Sequence, residues 1–230
     1  VKKRDLERVV AVLIVGLVIG LAVGGVVLGG ILAPKPSGPT EKAVKLKLTL
    51  RDLWIDHAFW ARTAVLAAKV GDTGAFNTAW QRVVDNAKAI SNAISPLYGQ
   101  RAAEQLLSLL SDHANGVRDY AVAVYTKNEA GKQSAITKLR QNADQIASFL
   151  NRANPANWPL ATLQAVLTGH IGAHMGQVDA IAAGDWSKEA DVWKSMVDNV
   201  TTIADALADG IVKQFPDRFL LVCVCCCHLH

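Results

Sequence analysis

The chain contains one stretch three times, and that repetition narrows the possible folds more than any other feature. The first copy begins Leu53-Trp54-Ile55-Asp56-His57 and runs through Gly71-Asp72 to Asn86, Ile90 and Ile94. The second begins Leu109-Leu110-Ser111-Asp112-His113 and reaches Asn142, Ile146 and Leu150. The third begins Val166-Leu167-Thr168-Gly169-His170 and reaches Asn199, Ile203 and Leu207. His and Asn stand 29 residues apart in every copy, and the copies are offset by 56 and then 57 residues. A fixed period of this length signals a repeated supersecondary unit.

Within each copy the apolar residues recur at alternating three- and four-residue steps, as on one face of a helix. Leu46, Leu50, Leu53, His57, Ala61, Ala64 and Ala68 form such a face, and Ala79, Val83, Asn86, Ile90 and Ile94 form the next. The pattern predicts six helices, at about 41–70, 74–95, 100–126, 129–152, 158–183 and 186–214. Pro96 and Gly99 are expected to close the first hairpin, Pro159 to sit in the first turn of the fifth helix and Pro216 to end the sixth. The fold class is therefore all-α: an N-terminal transmembrane helix, then a bundle of six helices in three pseudo-repeated αα-hairpins, about 46–98, 99–155 and 156–215.

Geometry makes the repeat a physical statement. His57 lies 14 residues before Gly71 and Asn86 lies 15 after it. At about 1.5 Å per residue, both sit roughly 21 Å from the turn, level with each other in an antiparallel hairpin. Three His and three Asn should thus form one layer, with apolar residues above and below. Buried polar groups need partners, because an unsatisfied one costs about 1–3 kcal/mol. Two arrangements meet that need. Each Asn bonds the His of its own hairpin and fixes register. Alternatively His57, His113, His170 and His174 converge on a transition metal ion (zinc, copper, nickel or iron), with Asn86, Asn142 and Asn199 accepting the distal ring N–H groups. Asp56 and Asp112 are alternative acceptors, although one residue along a helix turns them about 100° away. His170-x-x-x-His174 puts two imidazoles on one helix face but lacks the Glu of H-E-x-x-H, since Ile171 follows the first His. Haem is disfavoured: no C-x-x-C-H is present.

Outside the repeats the text changes. Val9 to Ala33 is 25 residues without a charge, preceded by Lys2, Lys3, Arg4 and Arg8. That length and flank predict a lipid-spanning anchor over 9–33 with the N-terminus cytoplasmic and the C-terminal domain extracytoplasmic; the alternative is a cleaved signal peptide. Gly16, Gly20 and Gly24 fall four apart, a spacing that lets membrane helices pair into a homodimer. Residues 34–40, with Pro34, Pro36 and Pro39, form a stiff linker, and 41–219 form the bundle domain.

All four cysteines (Cys223, Cys225, Cys226 and Cys227) lie in the tail 220–230, beside His228 and His230. They lack the paired spacing of a structural zinc site, and the tail reads as a misjoined or read-through frame. The net charge of +4 comes from the N-terminus: residues 41–218 hold 19 Lys and Arg against 18 Asp and Glu. There is no basic face for nucleic acid. No P-loop, nucleophile elbow or Cys–His pair occurs in the repeats, so a catalytic residue is not assigned, and no protein partner is legible.

Two resemblances add to this reading. Leu53-Trp54-Ile55-Asp56-His57-Ala58-Phe59-Trp60-Ala61-Arg62 resembles a family of small secreted or membrane-anchored prokaryotic helical proteins with no established activity. The likeness continues at 142–150, 153–159 and 210–219 and covers nearly all of 46–219. It implies architecture and an envelope location. His170-Ile171-Gly172-Ala173-His174-Met175-Gly176-Gln177 is similar to the H-x-x-x-H-x-G-Q stretch of DinB-like four-helix proteins. That similarity implies two metal-binding His, with His113 or His57 as the third. The composite expectation is a membrane-anchored, non-catalytic binding, sensing or accessory module. A metal-dependent enzyme and a purely structural or oligomerising envelope protein are the alternatives.

Overall fold

The computed structural model describes residues 38–220. The expected membrane anchor (9–33), its Gly-spaced face and the cysteines of the tail lie outside those residues. Among the described residues no helix is long and apolar enough to cross a membrane.

Every repeat folds into two long helices. They are α1 (Glu41–Val70), α2 (Thr73–Tyr98), α3 (Gln100–Tyr125), α4 (Glu129–Ala153), α5 (Leu160–Ala183) and α6 (Trp186–Gln214), followed by one short turn of helix, α7 (Pro216–Phe219). The described residues contain no strand.

The three hairpin turns are built alike, at equivalent positions. A residue in the left-handed region ends the first helix of each pair: Gly71 (φ 74), Lys127 (φ 55) and Gly184 (φ 70). The next residue caps the second helix. Asp72 accepts from the Ala75 N–H, Asn128 from Gly131 and Asp185 from Lys188, all near 3 Å. Such caps satisfy N–H groups that the first helical turn cannot. Glycine takes positive φ without a clash, so Lys127 holds that conformation at a cost the other two turns avoid.

Two boundaries depart from expectation. Helix α2 continues through Pro96 to Tyr98. Proline lacks an N–H, but in the last turn only one ladder bond is at stake, and Gly99 (φ 85) ends the helix instead. Pro159 sits just before α5, as its cap, and not inside its first turn.

The hairpins close on themselves. Each helix packs against its sequence neighbours, and α6 returns to α1. The helices that carry the histidines, α1, α3 and α5, also touch one another across the middle. The result is a pseudo-threefold bundle with the His helices inside. On the side of the 71, 127 and 184 turns, α1 and α3 bury mostly small residues (Ala61, Ala64, Val65, Ala114, Val117 and Ala121), while Leu139, Ile181 and Met196 fill the space from α4, α5 and α6. On the other side the core is Leu50, Ile90, Leu106, Leu110, Ile146 and Ile203. Each such Leu or Ile contributes about 1.5–3 kcal/mol by leaving water. The His layer lies between these two apolar zones.

The packing of each Asn helix on the following His helix repeats as well. Arg118 lies 5.1 Å above the Trp80 ring, and Arg62 lies 5.4 Å above Trp193. Both arginines stand five residues after a layer His, and both tryptophans six before a layer Asn. In the third copy those positions hold Met175 and Ile136, an apolar substitute for a cation–π pair.

Candidate metal centre

The layer expected from the repeat forms, and its histidines meet. His57, His113, His170 and His174 are 3%, 4%, 2% and 2% exposed. All six pairs of rings have centroids between 4.6 and 5.8 Å apart. One nitrogen from each ring lies within 4.8 Å of the corresponding nitrogen on the other three. The threefold repeat supplies three of them. His174 is the exception: its equivalents in the other copies are Ala61 and Val117. It joins because it stands one turn after His170, with the two Nε2 atoms 3.2 Å apart.

The asparagines do something the spacing alone did not reveal. Asn86 Nδ2 donates to the Leu53 carbonyl at 2.9 Å, Asn142 to Leu109 at 2.9 Å and Asn199 to Val166 at 3.1 Å. Each acceptor is the carbonyl one turn before the layer His of the same hairpin. Register is therefore pinned by an Asn-to-backbone bond, not by an Asn-to-His bond. A carbonyl can only be matched by the amide NH2, so the amide orientation follows and the Oδ1 is the atom left over. Asn142 acts on His113, and Asn199 on His170, to favour the charged ring. Neither contact closes to a formed hydrogen bond, since Asn142 Oδ1, Asn199 Oδ1 and His170 Nδ1 have no partner.

Unpartnered buried atoms are concentrated here. Among the described residues they are Trp54 Nε1, His57 Nε2, Asn86 Oδ1, His113 Nε2, Asn142 Oδ1, His170 Nδ1 and Asn199 Oδ1. All seven belong to the layer or to Trp54, whose ring meets His57 and His170 edge-on at 5.9 and 6.0 Å. At about 1–3 kcal/mol each, seven such atoms rival the whole stability of an ordinary domain. Trp54 stands three residues before His57, so helix spacing puts it beside that ring; its contact with His170 comes from packing.

Burial also sets the protonation state. It pushes the His57 pKa down to about 4, and burial with the neighbouring His57 pushes His113 down to about 3. His170 and His174 are lowered by burial first and by the adjacent histidines second. All four rings are thus neutral near pH 7, which leaves each a lone pair to donate. Asp56 and Asp112, the alternative acceptors, are exposed and take no part.

Four buried, neutral imidazoles at these distances could bind a metal ion. Metal–nitrogen bonds of about 2.0–2.1 Å around a tetrahedron place the nitrogens about 3.3–3.4 Å apart. The His170–His174 pair at 3.2 Å already matches that edge. The widest separation, up to 4.8 Å, calls for ring rotations that bring the nitrogens closer by over an ångström.

A second buried polar group lies one turn beyond His174. Glu189, 4% exposed, accepts from Arg62 through both oxygens at 2.6 and 2.9 Å and from Gln177 Nε2 at 3.1 Å. Gln177 ends the H-x-x-x-H-x-G-Q stretch, so here that residue joins α5 to α6 and does not touch the histidines through a hydrogen bond. The repeat could have flagged Arg62, which aligns with Arg118; Glu189 carries no sequence signal.

In comparisons with known proteins, no family model, no curated protein and no solved structure matches the chain.

Proposed function

We propose that this chain is a non-catalytic metal-binding module, with His57, His113, His170 and His174 holding one transition metal ion at the centre of the bundle. The observation that carries the reading is the division of labour in the layer. The asparagines fix helix register through backbone carbonyls, so register does not account for the histidines. Four buried rings, three of them with an unpartnered nitrogen, then need another explanation, and a shared cation supplies one. The ligand set is all nitrogen, which suits zinc, copper, nickel or iron and disfavours magnesium or calcium. The Asn Oδ1 atoms are available to accept the outer ring N–H groups once the rings are fixed by an ion.

The non-catalytic part of the reading rests on what surrounds the cluster. The groups against it are indole, amide and aliphatic; Asp56 and Asp112 face solvent, and Glu189 is bound by Arg62 and Gln177. Among the described residues no carboxylate is positioned as a general base. Residues 9–33, on their length and flanking charge, would anchor the module in a bilayer with the bundle outside the cytoplasm. Sensing, storage or delivery of the ion all fit that placement.

Elemental analysis of the full chain, purified in detergent and dialysed, tests the proposal beside a His57→Ala, His113→Ala, His170→Ala variant. One ion per chain, lost in the variant, is the expected result. A folded chain that takes up none of zinc, copper, nickel or iron would refute it.

A further inference from the structure

We propose that the centre accepts a small uncharged ligand of two or three atoms, of the class of nitric oxide or dioxygen, delivered through an apolar cavity on the turn side of the layer. This deepens the metal reading and rests on it.

The cavity begins at His57, His113 and His174 and is walled by alanine and valine. It ends among the partly exposed Ala68, Phe76, Trp80 and Arg118 and the exposed Val122 (52%). One cavity thus touches both partly exposed residues and three of the four rings. The cavity holds about 30 Å³. One water needs about 10–15 Å³, so a diatomic or triatomic molecule matches the space.

The alternatives fail on size or position. The cavity beside Trp54, His113 and His170 offers about 10 Å³, at or below the limit for one water. The cavity on the Leu/Ile side, lined by Leu50, Ile90 and Ile146 among others, touches none of the histidines.

The wall also selects against charge. Its one ionised group, Arg118, sits at the outer end, over the Trp80 ring and 3.5 Å from Asp119. Beyond it an anion would lose its hydration with no donor along the alanine and valine wall, whereas a neutral molecule loses almost nothing. At the inner end the ligand would join, as a fifth ligand, an ion able to share d electrons with it, such as iron(II), copper(I) or cobalt(II), and that ion would supply the electron density that nitric oxide or dioxygen needs in order to bind.

The experiment uses the full chain in detergent, loaded without oxygen with cobalt(II), whose visible bands weaken when a fifth ligand binds. Nitric oxide is then added, with sodium azide as the charged comparison. The expected result is one nitric oxide per cobalt, with azide slower by about 100-fold. Ala68→Leu, which narrows the mouth, should slow entry about 10-fold, and Trp80→Ala, which widens it, should speed entry; both keep one cobalt per chain. Cobalt bound at one per chain with bands indifferent to nitric oxide overturns this inference alone. So do entry rates that neither variant moves, or azide entering as fast as nitric oxide. Failure to bind cobalt at all overturns the metal reading beneath it.

Discussion

Two of the polar sets that the bundle buries are finished differently. Where α4 joins α5, Asn154 is 1% exposed and Trp158 is 3% exposed, yet every polar atom there has a partner. Asn154 Nδ2 donates to the Gly210 carbonyl at 2.9 Å, and its Oδ1 accepts from Asn157 at 2.8 Å. Trp158 Nε1 donates to the Ala206 carbonyl at 3.0 Å, and Gln214 Nε2 to Ala153 at 2.9 Å. In the His layer with Trp54, seven buried atoms have none. Buried polar groups that serve stability are satisfied from within the chain. On the metal-binding proposal, the open set is completed by the ion, and the fold is less stable without it.

That contrast predicts opposite responses to change. The largest effect concerns acid. The layer histidines are held neutral, with His57 at about 4 and His113 at about 3, against about 6.5 in the unfolded chain. Their folded values lie below their unfolded values, so the unfolded chain binds more protons under pH 6.5. Stability is complete above that pH and is lost as the pH falls toward 4, by about 1.4 kcal/mol per unit for each histidine. His57 and His113 together reach the range of an ordinary stability of about 5–15 kcal/mol, and the lowered His170 and His174 act in the same direction, so metal-free protein should unfold as the pH approaches 4. Circular dichroism against pH, with and without bound metal, checks this. A metal-free fold intact at pH 4 would break the comparison.

The joint between α4 and α5 should respond to volume and not to metal. A Cβ on Gly210 would lie 2.0 Å from Trp158 Nε1, so Gly210→Ala must displace the indole and its bond to Ala206. A loss of about 3 kcal/mol is expected in urea unfolding, with metal content per chain unchanged. The smallest effect sharpens the contrast most. His113→Leu removes an unpartnered nitrogen from the layer, so metal-free protein should gain about 1 kcal/mol while metal affinity collapses. Stability lost by this variant under chelator would place the histidines with the satisfied, structural set.

Much of this was legible in the residues. Six helices, their turns and the shared level of His and Asn followed from spacing, because helix rise is constant and an antiparallel hairpin folds equal lengths onto each other. Trp80 and Trp193, and the arginines over them, also stand at matching positions of the repeat. The Asn partner was not: His and backbone carbonyl stand one turn apart, and only side-chain packing chooses between them.

What the chain alone determined is therefore a matter of distance along helices: three copies, one level, apolar residues on either side. What the tertiary structure decided is a matter of angle around the bundle axis. Whether histidines on three separate hairpins point at one another depends on how α6 closes against α1 and how α1, α3 and α5 turn toward the centre. The same closure brings in His174, which has no counterpart in the other copies, and opens the cavity beside it. Rise per residue is fixed by local hydrogen bonds, but rotation between hairpins is set by the fit of side chains from distant parts of the chain.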